Sequence, residues 1–466
     1  MENKSIWNKY LKEKQKVLDK DLEYDVLIIG GGISGVLTAY NLNNTNLKVA
    51  LVERNTLLSG ITSKMTAKVT PLQDILTKIK ENELDLYLKS QIDGLKILKN
   101  NIKNSNIECD FLNSPSYLFT TKQSNIKKLK KIEEYLDQNK IKYEESILEI
   151  PGIDSKLAIK SDFYTINPIK YLNKIIDLST NIDFYEHTNV LEVIKDKIYI
   201  VKTDKYIIKA KKLVFATNYP YFLKPLFFPI KVRLEKSYMG YGKTNLEDKS
   251  FNAINIDKEI YSLRFYKDKL LYLNPSRMIA NHVNDTKCFE KMTSNKLINK
   301  YENIWSNLDL ITNDYLPIVG EVFKNMYILT GYNTWGILSS HVASKMIASM
   351  ILKQKKYIKY AELFRPRKRI NLKKIGNSTY NIYENINGFI KGIITKNKLI
   401  FYSKDHAMYV DKDGSCYLVK RKCPHLKCNL LFNEIEKTWD CPCHGSRFDL
   451  SGNVITGPSK YDIKVD

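Results

Sequence analysis

Apolar and polar residues alternate over the first 60 positions in an order that predicts a strand, a helix and a second strand. The apolar run 26–29 predicts a buried strand, and apolar positions three and four apart from Ile33 to Leu42 predict an amphipathic helix. A second apolar run ends at Glu53. This order is typical of a βαβ unit with two parallel strands. The charged segment 5–22 before it is predicted to be helical.

Three glycines occupy the turn between the first strand and the helix, in the spacing Gly30-x-Gly32-x-x-Gly35. In a dinucleotide fingerprint the first glycine makes the tight turn, the second lets backbone approach a pyrophosphate, and the third lets the helix pack against the strand. The helix N-terminus offers N–H groups to the pyrophosphate, and Glu53 would accept hydrogen bonds from ribose hydroxyls. Because all these features occur in register, the segment predicts a dinucleotide site. Three neighbours are expected to contact the same ligand: Ile33, Ser34 and Arg54.

Helical and strand patterns then alternate as far as residue 365. Helices are predicted over 72–103, 124–140, 169–179 and 337–353. Strands are predicted over 183–186, 197–202, 205–209, 212–216 and 326–330, with an antiparallel sheet rich in Tyr, Phe, Leu and Val over 226–275. The expected fold is an α/β Rossmann-type domain combined with an α+β substrate domain.

Two loops are placed to reach the same ligand. Segment 60–70 is rich in small polar residues and lacks periodicity, so it is predicted to be a loop close to the cofactor, with an ordinary surface loop as the alternative. Gly331 and Gly336 flank an aromatic segment directly before a helix. They would offer a second helix N-terminus to a polar ligand edge.

The net charge of +23 could indicate a nucleic-acid or membrane partner. However, 65 of the 74 basic residues are lysines, and they are spread along the chain rather than concentrated in one block. This distribution is typical of a compositional bias, so no nucleic-acid partner is predicted.

The N-terminal segment has charges throughout and no apolar core, so it is not a secretory signal, and a cytoplasmic location is expected. The most apolar late stretch, 327–352, is interrupted by Asn333, His341 and Lys345. A bilayer span needs about 20 largely apolar residues. No transmembrane helix is predicted.

A basic linker is expected over 366–374, and short strand patterns from 375 to 466 predict a separate all-β module. The module contains Cys423-Pro-His425-Leu-Lys-Cys428 and Cys441-Pro-Cys443-His444-Gly-Ser446. Each segment offers one Cys and one His, which suits an asymmetric [2Fe–2S] cluster with thiolates on one iron and imidazoles on the other. Structural zinc is the alternative, but zinc fingers pair Cys with Cys and His with His. The predicted ligands are Cys423, His425, Cys441 and His444.

Residues 24–365 resemble the FAD-dependent oxidoreductases of the D-amino-acid-oxidase-like (DAO) family. The resemblance rests on the fingerprint and on four segments in family order: Thr66-Ala-Lys-Val-Thr70, Val-Phe-Ala-Thr217, Leu-Pro-Ile-Val-Gly320 and Gly-Tyr-Asn-Thr-Trp-Gly336. It implies bound FAD and oxidation of amines or amino acids. Only one fingerprint is present, so a pyridine-nucleotide reductase is disfavoured. Further FAD contacts are expected from Thr66, Ala67, Ala216, Thr217, Gly331, Trp335 and Gly336.

Residues 375–466 resemble Rieske proteins through the two Cys-His segments. The resemblance implies that Cys428 and Cys443 form the disulfide that joins the two cluster loops in Rieske proteins of respiratory complexes. Disulfides are unusual in the cytosol, so a reduced pair remains the alternative.

The sequence identifies catalytic residues less clearly than it identifies cofactor contacts. Arg264 could clamp a substrate carboxylate through its two-pronged donor geometry, or form a salt bridge within the sheet. Tyr332 and Trp335 could line the flavin pocket or simply pack in the core. The histidines at 187, 282 and 341 are scattered, so none is named as a base.

The expected function is that of an FAD-dependent dehydrogenase for a small amine, amino acid or related substrate. Single electrons would pass between the flavin, the Rieske cluster and an external one-electron partner, either a protein or a quinone-like acceptor. The alternative is an electron-transfer protein or reductase in which the cluster feeds the flavin. A ring-hydroxylating oxygenase is disfavoured, because no further pair of histidines could bind a mononuclear iron.

The expected domains are an N-terminal extension (1–23), an FAD-binding domain (24–80, 161–225 and 309–365), a substrate domain (81–160 and 226–308), the linker (366–374) and the Rieske domain (375–466).

Overall fold

The computed structural model describes residues 3–13, 16–220, 231–247, 250–273, 277–279, 285–294, 296–366, 375–395, 397 and 399–465. His282 and residues 367–374 of the predicted linker lie outside these ranges. The described helices are α1 (Ile33–Leu42), α2 (Glu81–Asn104), α3 (Ile126–Gln138), α4 (Pro168–Asp177), α5 (Asp285–Thr293), α6 (Gly336–Ile351) and α7 (Ile375–Ile394). Within the described ranges, no helix has the length and apolar character that crossing a bilayer requires.

A nine-stranded sheet forms the first layer. Its centre is the predicted βαβ unit, in which Leu22–Ile29 lies between two parallel neighbours, Val49–Val52 and Ile207–Phe215. Strands covered on both faces read as continuous apolar runs, which is why the sequence showed them. Helix α6 packs against both α1 and α2 on one face of this sheet. The other strands are Lys16–Val17, Ile182–Glu186, Val190–Lys195, Tyr199–Thr203, Ile318–Phe323 and Met326–Thr330.

A ten-stranded sheet forms the second layer. From one edge to the other its strands are Arg277–Met278, Val232–Lys243, Lys269–Leu273, Ser262–Tyr266, Asn252–Asn255, Leu112–Thr120, Leu157–Thr165 and Lys68–Val69. Two more strands pair outside this path, Lys300–Thr312 with Val232–Lys243 and Glu144–Ser146 with Leu157–Thr165. A separate two-stranded ladder joins Glu149–Ile150 and Ile153–Asp154.

The described strands within 226–275 pair with one another antiparallel, as predicted, and one of them also has a parallel neighbour from elsewhere in the chain. The strand Asn252–Asn255 pairs in parallel with Leu112–Thr120. Alternation of apolar and polar residues shows that a strand has two different faces, but the direction of its neighbour depends on the connection between them. Here that connection spans more than 100 residues, so local sequence could not reveal it.

The prediction of a helix over 5–22 is wrong. The segment contains a short 3-10 turn at Asn8–Tyr10 and a two-residue strand at Lys16–Val17. Trp7 is fully buried, and its indole N–H donates to the carbonyl oxygen of Met65 at 2.8 Å. Tertiary packing of this tryptophan overrides the weak local preference for a helix.

The C-terminal module contains two small antiparallel sheets, as predicted. One is formed by Ile400–Tyr402, His406–Val410 and Cys416–Lys420. The other is formed by Leu431–Asn433, Thr438–Asp440, Arg447–Phe448 and Val454–Thr456. The strands predicted from residue 375 are wrong for the first twenty residues, which form α7. The helix brings Gly388 against the backbone of Pro442, a close approach that its sequence alone does not show.

Candidate functional site

The fingerprint glycines form the turn between the first long strand and α1. Gly30 has φ of +110°, where a side chain would be strained, and a Cβ there would lie 2.6 Å from the carbonyl oxygen of Ala216. A Cβ on Gly35 would overlap the carbonyl oxygen of Gly30. At the start of the helix, the Ile33 N–H donates to Thr62 Oγ1 at 2.9 Å. The helix N-terminus therefore packs tightly against the strand, in the arrangement that favours bound phosphate.

Glu53 lies at the end of the second strand of the βαβ unit. Its Oε2 accepts a hydrogen bond from Gly31 N at 2.7 Å, and its Oε1 accepts one from Asn55 N at 2.9 Å. These two bonds fix the orientation of the carboxylate and leave lone pairs for ribose hydroxyls. Sequence reasoning missed Gly31, which occupies a variable position of the fingerprint, and Thr62, for which the only signal was the small polar loop.

A cavity of about 850 Å³ opens beside the fingerprint. Its volume is within the range of about 300–1,000 Å³ that small-molecule and cofactor sites occupy. Most predicted FAD contacts line it: Gly30, Gly32, Ile33, Ser34, Glu53, Arg54, Thr66, Ala67, Ala216, Thr217, Trp335 and Gly336. The predicted loop 60–70 contributes to the same lining. Gly35 and Gly331 do not line the cavity; Gly331 turns the chain beside Thr312 with φ of +72°.

The aromatic candidates line the cavity, whereas the arginine does not. Tyr332 accepts a hydrogen bond from Ser34 Oγ at 2.9 Å, and the Trp335 indole N–H donates to Asp74 Oδ1 at 2.9 Å. The guanidinium of Arg264 is buried and donates to the carbonyl oxygens of Ala67 at 2.9 Å and Ile166 at 2.8 Å. Arg264 forms no salt bridge among the described residues, and it does not line the cavity in which a substrate carboxylate would lie. Its hydrogen bonds instead fix the loop that precedes the Lys68–Val69 strand.

Lys68 is a buried cation that the sequence did not single out, although it lies in the 60–70 loop. Its Nζ donates to Ser262 Oγ and to the carbonyl oxygen of Ala253 at 3.2 Å, and lies 5.2 Å from the centre of the Trp335 ring. Burial lowers the pKa of Lys68 to about 7. The residue lines the cavity where the loop meets the second sheet.

The two described histidines among those considered as possible bases, His187 and His341, have structural roles. Exposed His187 pairs with Glu13 at 2.7 Å. Buried His341 lies 2.8 Å from the Tyr171 hydroxyl and 2.7 Å from the Ile337 carbonyl oxygen, and burial lowers its pKa to about 4. Neither lines the cavity.

The two predicted cluster loops meet in the C-terminal module. The ring centres of His425 and His444 lie 5.1 Å apart at an interplanar angle of 89°. Burial, together with the neighbouring His425, lowers the pKa of His444 to about 4, and its buried Nδ1 has no hydrogen-bond partner in the described part of the chain. The Cys423 and Cys441 side chains are hydrogen-bonded to each other, which lowers the pKa of Cys423 to about 7. Two sulfurs and two imidazoles at one place fit an asymmetric [2Fe–2S] cluster.

A disulfide joins Cys428 to Cys443 and connects the two loops. The sulfurs of these residues and of Cys441 lie within 4.8 Å of one another. Proximity alone would suggest a three-cysteine metal site. Because sulfurs in a disulfide have no thiolate to donate, the donors left in this region are Cys441 and the three other predicted ligands.

Ser446 and Phe448 pack beside the cluster loops. Ser446 is fully buried, its hydroxyl bonds the Cys423 sulfur, and its Oγ accepts from Ser459 N at 3.1 Å. Phe448 is also fully buried in the module's core. One side chain near the cluster thus donates a hydrogen bond, and the other provides only apolar contact.

The cluster loops lie directly against the second sheet. A Cβ on Gly445, which follows His444, would come within 2.7 Å of the terminal methyl carbons of Leu234 and Ile279. Leu234 also lines the large cavity, as do residues 455–457 of the C-terminal module. One strand of the second sheet therefore separates the cavity from the cluster loop.

Buried charges join the C-terminal module to the same sheet. The carboxylate of Glu436 pairs with Lys236, and with Arg447 at 2.7 Å. Arg447 also donates to Ser306 Oγ at 3.2 Å. The two sheet residues, Lys236 and Ser306, are buried. Near the nucleotide end, Arg54 donates to the carbonyl oxygen of Ser459 at 3.2 Å.

Comparisons of structure agree with this architecture. Glycine oxidase from Geobacillus kaustophilus superposes with a TM-score of 0.62 at 16% identity, covering 75% of this chain and 100% of that protein. L-proline dehydrogenase from P. horikoshii superposes with a TM-score of 0.60 at 16% identity, covering 76% and 97%. These likenesses show a flavoprotein fold for the larger part of the chain.

Comparisons of sequence define the family. Residues 25–350 match the model of the FAD dependent oxidoreductase (DAO) family, and residues 395–465 match that of the Rieske [2Fe-2S] domain. The chain belongs to the DAO family of FAD-dependent oxidoreductases and has a C-terminal Rieske domain, as the sequence predicted. The Bacillus subtilis (strain 168) protein YhfW, whose name describes a Rieske 2Fe-2S iron-sulfur protein, is 27% identical over 96% of this chain and 94% of its own length. Gamma-glutamylputrescine oxidoreductase of Escherichia coli (strain K12) is 23% identical over 72% of this chain and 85% of its own length.

Proposed function

We propose that this chain is a dehydrogenase for a small amine, amino acid or related substrate, in which single electrons pass between FAD and the Rieske cluster inside one polypeptide. An external one-electron acceptor, a protein or a quinone-like molecule, would take the electrons onward. The observation that supports this most directly is the cavity itself, because the fingerprint and residues 455–457 of the Rieske domain line the same space.

We assign the FAD contacts to the residues that surround this cavity. The first turn of α1, with Gly30, Gly32 and Ser34, is placed to bind the pyrophosphate, and the fixed carboxylate of Glu53 is placed to accept from a ribose. Tyr332 and Trp335 would contact the cofactor or substrate from the side of α6. Bound flavin supplies the means to take two electrons from a substrate and release them one at a time. We propose the same domain boundaries as those expected from the sequence.

In the Rieske domain, we assign Cys423, Cys441, His425 and His444 as cluster ligands. The surrounding contacts fix this domain against the second sheet, since Gly445 abuts Leu234 and Glu436 bonds Lys236 across the boundary. Packed sheet layers lie about 10 Å apart. Electrons would therefore cross a thin, solid protein layer without any movement of the domain.

Anaerobic reduction of the purified full-length protein with a panel of amines and amino acids tests this proposal. Flavin absorbance and the EPR signal of the cluster are followed after mixing. We expect a productive substrate to bleach the flavin and then to produce the reduced-cluster signal. In a His444→Ala variant that retains FAD, bleaching should occur and the signal should be absent. Failure of every amine to bleach the flavin, or bleaching in the wild type without a cluster signal, would contradict the proposal.

A further inference from the structure

Four polar side chains form a patch on the cavity side of the second sheet. In the antiparallel pairing of Val232–Lys243 with Lys300–Thr312, Ser237 lies opposite Asn307 and Glu235 lies opposite Asp309. All four line the cavity. Alternate residues of a strand share a face, and the intervening Lys236 bonds the Rieske domain instead. Glu235 and Ser237 therefore line the cavity, while the side chain between them contacts the Rieske domain.

Two members of the patch have unmade hydrogen bonds. Ser237 and Asn307 are 2% and 3% exposed, and Ser237 Oγ and Asn307 Oδ1 have no partner among the described residues. The amide nitrogen of Asn307 donates to both carboxylate oxygens of Asp309 at 3.2 Å. The amide oxygen of this cavity-lining residue is thus left as an acceptor without a donor among the described residues. Buried polar atoms without partners are costly, so these atoms favour a ligand that donates hydrogen bonds.

The patch also has an excess of negative charge. Glu235 is neutralised by Arg233 at 2.8 Å, and nearby Asp74 is neutralised by Lys78 at 2.8 Å. Asp309 has no cation within 4 Å in the part of the chain that the structure describes. Burial and the negative charge of Glu235 raise the pKa of Asp309 to about 7. A carboxylate in this setting is stabilised when a positive group comes next to it.

We propose that Asp309, Asn307 and Ser237 form a binding site for an alkylammonium group, so that the substrate is recognised by a cationic nitrogen. The three N–H donors of a primary ammonium match the three acceptors, one of which is charged. Lys68, a buried cation of the same cavity, donates hydrogen bonds to the Asn252–Asn255 and Ser262–Tyr266 strands and is separated from this patch by the strand Lys269–Leu273. The inference rests on the proposed function, because it names the charge of the substrate for that cavity.

Binding of tert-butylammonium to the oxidised, FAD-loaded full-length protein at pH 8 tests the site. This amine has no hydrogen on the carbon next to nitrogen, so it cannot be dehydrogenated, and binding is separated from turnover. Calorimetry and the visible spectrum of the flavin report the dissociation constant. Pivalate, which has the same shape and the opposite charge, is the comparison ligand. We expect saturable binding of the ammonium and none of pivalate.

The Asp309→Asn variant keeps the shape of the side chain and removes its charge. Its affinity for tert-butylammonium should fall about tenfold to a hundredfold, in line with the loss of a charged hydrogen bond. Ser237→Ala should weaken binding about fivefold. Glu302→Gln is the matched control, because Glu302 belongs to the same strand but pairs with Lys269 outside the cavity. FAD content and melting temperature identify any variant that fails to fold.

The outcomes separate this inference from the proposed function. Equal affinity in wild type and both patch variants, preferential binding of pivalate, or no saturable binding by the wild type would overturn the ammonium site. If amines nevertheless reduce the flavin, the proposed function stands without it. If the ammonium binds as expected but no amine reduces the flavin, the site stands and the proposed function fails.

Discussion

Removing the charge of Glu436 should detach the Rieske domain from the second sheet. Glu436, Lys236 and Arg447 are all buried, with side chains 0%, 1% and 2% exposed. A Glu436→Gln substitution keeps the shape of the side chain but leaves two cations facing each other in the interface. Asp440 alone cannot balance them, because it lies 3.7 Å from Lys236 and 3.0 Å from Arg447 and is partly exposed.

Two lines of reasoning give the same magnitude for this effect. Burial alone would raise the pKa of Glu436, but Arg447 and Lys236 outweigh it and lower the pKa from 4.5 to about 2. At 1.36 kcal/mol per pH unit, this corresponds to about 3 kcal/mol of stabilisation of the charged form. Removing one member of a buried ion pair typically costs about 3–5 kcal/mol. Because the folded pKa is lowered, this stability is complete above about pH 4.5 and is lost as the pH falls toward about 2.

Urea unfolding at pH 7, followed by the visible absorption of the cluster, measures the change. We expect the Glu436→Gln variant to lose its cluster signal at a lower urea concentration, by an amount equivalent to about 3 kcal/mol. Glu434→Gln is the matched control, since Glu434 belongs to the same turn, is exposed and should change stability by less than about 0.5 kcal/mol. Equal unfolding midpoints for the two variants, or a Glu436 effect that persists undiminished at pH 2, would refute the role of the buried charges.

Three further predictions concern the cofactors and the patch. Gly32→Val should lower the FAD content after gel filtration, because the valine side chain would enter the cavity beside Thr62. Even a Cβ at this position would lie 3.2 Å from Thr62 Oγ1. If the variant kept its full FAD content, the pyrophosphate would have to bind elsewhere. Ser446→Ala should lower the reduction potential of the cluster and Phe448→Tyr should raise it, because hydrogen-bond donors to cluster sulfur stabilise the added electron. We expect each change to be roughly tens of millivolts in protein-film voltammetry. Two unchanged potentials would argue against both contacts. The pKa of Asp309 is raised from 3.8 to about 7, so this residue lowers the stability of the folded protein as the pH rises through that window. The Asp309→Asn variant should therefore have a higher melting temperature than the wild type, and the difference should be larger at pH 8 than at pH 5. An equal difference at both pH values would contradict the prediction.

The chemistry of the two cofactor sites could be predicted from the sequence because each site has a central motif made of one or two short segments. The glycines and Glu53 belong to one βαβ unit, in which strand, turn and helix follow one another along the chain. The cluster ligands belong to two loops only 13 residues apart between Cys428 and Cys441. In both cases the bound group requires particular residue types at a fixed spacing along the chain, so the site is visible as a sequence motif.

The contacts between distant segments were decided only by the tertiary structure. Arg264 was a candidate for a substrate clamp or a salt bridge within the sheet, but the fold places it under the loop of Thr66 and Ala67. The parallel pairing of Asn252–Asn255, the burial of Trp7 and the helix at Ile375–Ile394 likewise depend on neighbours that local periodicity does not specify. Strand periodicity shows which residues share a face but not which strand lies alongside. For this reason the pairing of Ser237 with Asn307, the position of Asp309 away from every described cation and the Rieske loop against Leu234 emerge only when residues about 70 to 210 positions apart are brought together by tertiary packing.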